Sequence, residues 1–255
     1  MKTIKVTLLG TSNSFPTKER NHTAILLEYL GETILVDCGE GTQRQFRHAK
    51  VNPCKITRIL ITHLHGDHVL GLPGLLETLG MSNYAKTLEI YGPRGTQRHL
   101  HALQEIYGNF RLSLRVHEID TEVFVKTKDF ELHSKPMSHG IATNAYSFVL
   151  KDKIRLDKKK ISKLKLPNSP LLGELQRGHD ITFKGKKISA KSLIYTEEGK
   201  KVTIILDTGM NQHAIDLAKD SNLLICESTY SHEDEQVANE YKHLTSMQAA
   251  TIAKK

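Results

Sequence analysis

A six-residue segment with four potential metal ligands constrains the fold of this chain most: His63-Leu64-His65-Gly66-Asp67-His68. It directly follows residues 56–62, a largely apolar run that is typical of a strand. Imidazoles at positions i and i+2 of an extended segment project to the same side, so His63 and His65 can bind one ion. Asp67 and His68, on the turn that follows, then face a second position. The segment therefore predicts a two-metal site at the end of a strand.

Short β-rich runs separated by glycine dominate the first 150 residues, and strand–helix pairs follow near the other end of the chain. The pattern predicts strands at residues 6–9, 23–29, 33–37, 56–62, 88–91, 114–119, 123–127, 130–136, 145–150, 202–207 and 223–227. It predicts helices at residues 72–79, with Gly80 as the stop, and at 93–107, 212–219 and 245–255. This order of elements favours an α/β (α+β) protein in which two sheets pack face to face with helices outside.

The positive charge of the chain is confined to one segment. The net charge is +8, and residues 151–187 contain twelve Lys and Arg against four Asp and Glu, so the rest of the chain is neutral. Most charge runs are solvated surface, but solubility alone does not require the charge to be gathered in one place. Residues 158–166 predict a short basic helix, and 166–170 a turn or hinge. We interpret the segment as a protruding insertion that binds a polyanion.

Cysteine usage and hydropathy predict the compartment. The three cysteines are widely spaced and form no C-x-x-C pair, which is typical of free thiols in a reducing environment. The longest apolar runs are strand-length, and the first ten residues contain too short an apolar run for a secretory signal. We expect a cytoplasmic protein that does not associate with a membrane.

The histidine segment is similar to the signature of the metallo-β-lactamase superfamily. Within it, the chain resembles the ribonuclease Z family, the endonucleases that trim the 3′ trailer from precursor tRNA. The matching motifs lie, in order, at residues 8–11, 20–21, 37–43, 62–68, 71–76, 91–93, 138–140, 207–208, 227–230 and 243–245. The resemblance implies a four-layered αββα sandwich over residues 1–255, incomplete at its carboxyl end, with residues 151–195 as an inserted basic arm that binds tRNA.

The resemblance also implies a ligand set and a cofactor. His139 would join His63 and His65 on a first zinc ion, and Asp207 would bridge that ion to a second one held by Asp67 and His68. Two Zn²⁺ per chain are expected, with Mn²⁺ as the substitute.

Three of the expected site residues concern proton transfer. Glu227 would orient His243, which would donate a proton to the leaving oxygen. Asp67 would take part in proton handling beside the nucleophilic water.

One ligand of the family has no counterpart in this sequence. In the family the second zinc takes a further histidine on a strand after the helix that starts near Thr245, whereas His243 is the last histidine here. Two explanations account for this: a fragment of a longer protein, which we favour, or a short form with an incomplete second site that binds metal more weakly.

The expected activity is that of a zinc-dependent endoribonuclease, in which a metal-bound hydroxide cleaves precursor tRNA and leaves a 3′-hydroxyl. The family implies a homodimer in which one subunit's arm clamps tRNA for the other's cleft. Two alternatives stay open: a small-molecule hydrolase acting on an ester, thioester or lactone, and a catalytically impaired tRNA-binding protein. The expected substrate-binding residues are Lys158, Lys159, Lys160, Lys163, Lys165, Arg20 and Asn21.

Overall fold

A computed structural model of the chain describes residues 3–119 and 121–255. Its strands are β1 (Lys5–Gly10), β2 (Ala24–Tyr29), β3 (Glu32–Val36), β4 (Arg58–Leu60), β5 (Thr87–Gly92), β6 (Ser113–Glu118), β7 (Val123–Lys126), β8 (Phe130–Pro136), β9 (Asn144–Leu150), β10 (Lys153–Leu156), β11 (Ile181–Phe183), β12 (Lys186–Ile188), β13 (Ile194–Glu197), β14 (Lys201–Ile205) and β15 (Leu223–Cys226). Its helices are α1 (Thr42–His48), α2 (Gly66–Val69), α3 (Leu72–Met81), α4 (Thr96–Tyr107), α5 (Lys158–Lys163), α6 (Pro170–Gln176), α7 (Gln212–Ala218), α8 (Glu235–Tyr241) and α9 (Ser246–Lys254).

Two sheets form the centre of the molecule. The first has the order β1-β2-β3-β4-β5-β6, with antiparallel pairs up to β3 and parallel pairs from β3 to β6. The second has the order β15-β14-β9-β8-β7, in which only β14 and β15 are parallel. The β2–β3 hairpin turns through Leu30 and Gly31, both at positive φ, as a two-residue turn of this hand requires. Its two strands lie where the sequence pattern predicts strands, at residues 23–29 and 33–37.

Three apolar cores separate four layers. Tyr146, Phe148 and neighbouring side chains fill the space between the two sheets. Phe46 of α1 and Leu75 of α3 pack on the outer face of the first sheet. Leu217 of α7 and Ile252 of α9 belong to the core on the outer face of the second. Because each sheet has one face toward the other and one toward helices, its strands are buried on both sides. The αββα prediction is confirmed.

Polar residues follow the parallel strands at one edge of the sandwich. Asp37 comes directly after β3, and the segment that leads to His63 follows β4. In the second sheet, Asp207 lies two residues beyond β14, and Glu227 comes directly after β15. Carboxyl ends of parallel strands meet at the same edge, which is where α/β proteins place their sites. The two sheets thus bring residues that are far apart in sequence to one rim.

Three predicted element boundaries were wrong. The strand expected at 56–62 is shorter, because the Thr62 amide donates to the Asp37 carboxylate instead of a strand partner. Helix α3 runs through Gly80 to Met81: a Cβ at Gly80 would lie 3.2 Å from the Arg111 backbone nitrogen, so close packing and not helix termination explains this glycine. Helix α4 starts at residue 96, not 93, where the Glu118 carboxylate accepts from two amides of its first turn.

Residues 153–197 form a small unit beside the sandwich. Strands β10 and β13 pair antiparallel, β11 and β12 form a hairpin, and α5 and α6 lie between β10 and β11 in sequence. The unit has its own apolar core, formed by Leu166, Leu175, Ile181, Ala190 and Leu193. It is therefore folded around its own buried side chains. Across the part of the chain that the structure describes, no helix is both long and apolar enough to cross a bilayer.

Candidate metal centre

Three imidazole nitrogens converge beside the end of β4. His63 Nε2 lies 3.0 Å from His65 Nδ1, and His139 Nε2 lies 3.3 Å from the same atom. The three groups can present one ligand atom each within 4.8 Å of one another. His63 is fully buried, so its ring is fixed by the surrounding chain. The structure brings together the three residues that the sequence assigns to a first zinc ion.

Asp207 lies between this group and a second one. Its Oδ1 is 3.4 Å from His68 Nε2, and its Oδ2 is 3.7 Å from His63 Nε2 and 4.0 Å from His139 Nε2. Asp67 approaches from the other side, with its Oδ2 3.5 Å from His68 Nε2. One carboxylate therefore faces both groups, which is the position that a bridging ligand requires.

A buried carboxylate that the sequence analysis gave no role supports His68. Asp37 is fully buried and has a φ of 57°, a left-handed backbone that places its side chain beneath the metal loop. Its Oδ2 accepts from His68 Nδ1 at 2.6 Å and from the Thr62 hydroxyl at 2.6 Å, and its Oδ1 accepts from the Thr62 amide at 2.7 Å. Because His68 Nδ1 is held in this way, Nε2 is the atom turned toward Asp207. Such outer contacts fix the tautomer of a metal-ligating histidine.

The charges at this site are strongly coupled. Burial lowers the pKa of His63 to about 2, and the neighbouring His68 adds to that effect. Burial alone would lower the pKa of His68, but the Asp37 and Asp207 carboxylates outweigh it and hold that pKa well above its usual value. Burial alone would raise the pKa of Asp207, but the hydrogen bond and charge of His68 reduce it to well below its usual value. A neutral His63 and an ionised Asp207 are both in the state that binds metal.

The donor atoms fit zinc. Imidazole nitrogens and carboxylate oxygens are the ligands that Zn²⁺ takes in catalytic sites. Three sets of three such atoms lie within 4.8 Å of one another: His63, His65 and His139; His63, His68 and Asp207; and His139, Asp207 and His243. The close approach of three ring nitrogens would place lone pairs against one another without a shared proton or a cation. His63, His65 and His139 would hold one ion, and Asp67, His68 and Asp207 the other. Asp67 belongs to none of the three sets, but its Oδ2 lies 3.5 Å from His68 Nε2, beside the second position.

The backbone of Lys242 orients His139. The Lys242 carbonyl lies 3.2 Å from His139 Nδ1, which must donate because a carbonyl only accepts. Burial lowers the pKa of His139, so the ring is neutral and its Nε2, which faces His65, carries no proton. Sequence reasoning missed this contact because the two residues are 103 positions apart.

His243 and Glu227 form a pair at the rim of the site. His243 Nδ1 lies 3.1 Å from Glu227 Oε1, and His243 Nε2 lies 4.0 Å from Asp207 Oδ2. Two threonines hold the carboxylate: the Thr208 amide donates to Oε1 at 2.7 Å, and the Thr229 hydroxyl donates to Oε2. Burial alone would lower the pKa of His243, but the Glu227 carboxylate outweighs it and raises that pKa. The pair predicted from the sequence is in contact and next to the bridging carboxylate.

The remaining predicted residues lie away from this centre or hydrogen-bond to the backbone. Arg20 is exposed on the loop before β2. The Asn21 side chain donates to the Glu40 carbonyl at 2.7 Å, so it fixes the loop that follows Asp37. The five predicted lysines of the basic segment are all exposed on or beside α5. Lys160 donates a hydrogen bond to the Ser192 carbonyl and forms an ion pair with Asp157.

Comparison with known proteins defines the class of the molecule. A family model described as "Anti-Pycsar protein Apyc1" matches residues 4–168. The metallo-β-lactamase fold protein YhfI from Bacillus subtilis superposes with a TM-score of 0.69 at 17% identity, covering 99% of this chain and 81% of that chain. The human tRNase Z short form superposes with a TM-score of 0.73 at 27% identity, covering 98% and 87%. The fold and the site thus define a metallo-β-lactamase-fold protein.

A curated relative identifies the family more closely. A ribonuclease Z from Methanothermobacter thermautotrophicus is 40% identical over 254 residues, covering 98% of this chain and 82% of that protein. The chain belongs to the ribonuclease Z family. It also belongs to the protein family whose model is described as "Anti-Pycsar protein Apyc1".

Proposed function

We propose that this chain is a zinc-dependent endoribonuclease that removes the 3′ trailer from precursor tRNA and leaves a 3′-hydroxyl on the tRNA. The family and its tRNase Z relatives support this class of hydrolase. The observation that carries the assignment is the position of Asp207, whose two oxygens lie within 4.0 Å of four histidines from three segments of the chain: His63, His68, His139 and His243. Two donor sets that share one carboxylate are the arrangement that phosphodiester hydrolysis uses.

Each side chain of the centre has a defined task in this reaction. His63, His65 and His139 would hold one Zn²⁺, Asp67 and His68 would hold the other, and Asp207 would be shared between them. Bound there, the two ions would lower the pKa of a water and polarise the phosphodiester. Mn²⁺ prefers oxygen over nitrogen ligands but is accepted by mixed sets of this kind, so we treat it as the substitute.

His243 acts as the general acid. Its Nδ1 bonds to Glu227, so Nε2 is the atom that meets the substrate. Because Glu227 raises the pKa of His243, a larger fraction of the imidazole carries the proton near neutral pH. His243 would give that proton to the departing 3′ oxygen. Asp67, beside His68 Nε2, would accept the proton that the attacking water releases.

The unit formed by residues 153–197 supports RNA over a small substrate. Its core holds α5 in place and leaves Lys158, Lys159, Lys163 and Lys165 exposed. Exposed lysines contact phosphates without reading sequence, which suits a folded RNA recognised by its shape. A small ester, thioester or lactone would not need such a surface. We propose that this arm holds the body of the tRNA, with Arg20 as a further phosphate contact.

Two further parts of the proposal follow from the family rather than from this chain's geometry. The active form would be a homodimer in which the arm of one subunit holds the tRNA that enters the other subunit's cleft. The location would be the cytoplasm, where precursor tRNA is processed in cells without a nucleus.

The direct test is cleavage of a precursor tRNA labelled at its 5′ end, with zinc or manganese added, followed by mapping of the product ends. A product that ends near the acceptor stem with a 3′-hydroxyl supports the proposal. Hydrolysis of a small ester without cleavage of the RNA would contradict it, as would salt-sensitive binding of the RNA without cleavage.

A pair of variants tests the arm separately. Alanine at Lys158, Lys159, Lys160, Lys163 and Lys165 should raise KM for precursor tRNA and leave bound zinc unchanged, because these lysines lie outside the metal centre. The matched control replaces five exposed lysines of the sandwich, Lys50, Lys55, Lys86, Lys126 and Lys128, and so removes the same charge. An equal loss in both variants would show that only net charge matters.

A further inference from the structure

Lys242 occupies an unusual backbone position beside the metal centre. It ends α8 with a φ of 55°, in the left-handed region that residues with a side chain seldom adopt. The Lys242 amide donates to the Asn239 carbonyl at 3.3 Å, and the His243 amide donates to the Ala238 carbonyl at 2.8 Å. This turn therefore ends α8 and places His243 beside the metal centre.

Three segments of the active site meet at this lysine. Its carbonyl accepts from His139 Nδ1 at 3.2 Å, and its Nζ donates to the His139 carbonyl at 3.3 Å. On the other side, a Cβ on Gly209 would lie 3.6 Å from Lys242 Cα, so the lysine packs against the segment that carries Asp207. Lys242 thus contacts the loop of a zinc ligand, the loop of the bridging carboxylate and the general acid.

The ammonium of Lys242 has no counter-charge among the residues that the structure describes. The residue is exposed, and its Nζ donates to the His139 carbonyl. Lys5 and Lys153, by contrast, bond to Glu28 and Asp129 at 2.8 Å and 2.6 Å. An ammonium has three donors, so two remain free after the carbonyl is satisfied. A free positive charge at the rim of a phosphodiester site is placed to meet an anion.

We propose that Lys242 Nζ binds the RNA phosphate next to the scissile one, on the side of the leaving 3′ oxygen. The side follows from the chain itself: Lys242 directly precedes His243, which protonates that oxygen. This inference rests on the proposed function and adds a substrate contact from the sandwich itself, separate from the arm. The contact between Nζ and the phosphate affects substrate affinity, whereas the Lys242 carbonyl orients His139.

Lys242→Gly separates the phosphate contact of the ammonium from the contact of the backbone carbonyl with His139. Glycine adopts a φ of 55° without strain and retains the carbonyl that His139 uses, so only the ammonium and its stem are lost. The matched control is Lys50→Gly, because Lys50 is also exposed and also has a φ of 55°, but lies beyond the far end of α1. Lys242→Arg keeps the charge and should restore most of the affinity.

We expect Lys242→Gly to raise KM for precursor tRNA by about tenfold, the value of one hydrogen bond to a charged group. The plot of log affinity against log salt should become shallower by about one. The kcat and the bound zinc should change little, since the carbonyl contact with His139 remains. Lys50→Gly should match the unmodified chain in all four measurements.

A neutral phosphate in the substrate locates the contact. A methylphosphonate at the phosphate on the leaving-group side should weaken binding to the unmodified chain but have little additional effect on Lys242→Gly, because the partner charge is already gone. Coupling at the phosphate on the trailer side instead would overturn the proposal.

Other outcomes also overturn it, and they are distinct from failure of the proposed function. If the unmodified chain cleaves precursor tRNA and Lys242→Gly has the same KM and salt dependence, Lys242 makes no substrate contact. If Lys242→Gly loses zinc and kcat with KM unchanged, the lysine only positions His139. If the unmodified chain does not cleave precursor tRNA, the proposed function fails, and the inference fails with it.

Discussion

The Asp37 carboxylate controls how His68 meets a metal ion, although it is not itself in a donor set. It accepts from His68 and twice from Thr62. We expect Asp37→Asn to weaken zinc binding by about 10- to 100-fold, because the new amide donor faces groups that also donate. Asparagine tolerates the left-handed backbone of this position, so the change tests the charge and not the fold. Titration of the apoprotein with zinc by calorimetry measures the effect.

A control for this prediction is available on the arm. Asp180 Oδ1 accepts from the Ala190 amide at 3.0 Å, so Asp180→Asn also alters a carboxylate that serves the backbone. It should leave zinc affinity unchanged. Equal zinc affinities for the Asp37 and Asp180 variants would show that Asp37 does not prepare the second donor set.

The Glu227–His243 pair gives a prediction on pH. His243 must carry a proton to act as an acid, so kcat should fall as pH rises through its pKa. Glu227 raises that pKa, and Glu227→Gln removes the negative charge, so the pKa of His243 falls. The alkaline fall of kcat should therefore move to lower pH. A pH–rate profile of kcat for cleavage of precursor tRNA measures this.

Glu235→Gln is the matched control, since Glu235 accepts from the Gln248 side chain at 3.2 Å and lies outside the metal centre. Its profile should coincide with that of the unmodified chain. If Glu227→Gln lowers kcat equally at every pH, Glu227 fixes the position of His243 without setting its protonation.

At the scale of elements, the strands of the two large sheets and the long amphipathic helices could be predicted from sequence, because their patterns are local. The short strands β10 to β13 were missed. The β2–β3 hairpin, α7 and α9 lie within a few residues of their expected positions. Helices α1, α6 and α8 were missed: each has only seven residues, too few for a hydrophobic period to stand out.

Some residues of the candidate site could likewise be recognised from the sequence, and others could not. The histidine segment could be recognised because its four ligands lie within six residues, and resemblance added His139, Asp207, Glu227 and His243. The supporting contacts of Asp37 and of the Lys242 carbonyl could not be recognised, since each joins positions that are far apart in sequence. Such contacts depend on how the two sheets bring their strand ends together, which a local pattern does not contain.

The arm has its own core, so it should lose structure independently of the sandwich. Leu175 is fully buried in that core, and its truncation in Leu175→Ala removes packing worth about 2 to 5 kcal/mol. Faster amide exchange is expected across residues 153–197 and not in the sandwich. KM for precursor tRNA should rise while bound zinc stays constant.

Leu217→Ala is the control for this prediction, because Leu217 is 2% exposed in the core between α7 and the second sheet. It should lower the stability of the sandwich and leave exchange in the arm unchanged. Faster exchange throughout the protein in the Leu175 variant would mean that the arm and the sandwich unfold as one unit.

At the scale of the whole molecule, the basic segment and the metal centre occupy separate parts of the chain, which bears on the proposed homodimer. Residues 151–187 carry the entire net charge of +8, whereas the metal centre lies at the rim of a sandwich that is otherwise neutral. If one subunit's arm serves the other's cleft, the two functions can be supplied by different chains. The arm lysines can then be removed from one chain and a metal ligand from the other.

Mixing two impaired variants tests whether the arm of one subunit serves the cleft of the other. One carries alanine at the five arm lysines, 158–160, 163 and 165, and the other carries His63→Ala, which removes a ligand from the first donor set. Each alone should cleave precursor tRNA poorly, one for lack of affinity and the other for lack of metal. A mixed dimer has one intact cleft facing one intact arm, so an equal mixture should regain about a quarter of the activity when assembly is random. Sedimentation first establishes that dimers form and exchange subunits. Mixed dimers without recovered cleavage would mean that each arm serves the cleft of its own chain.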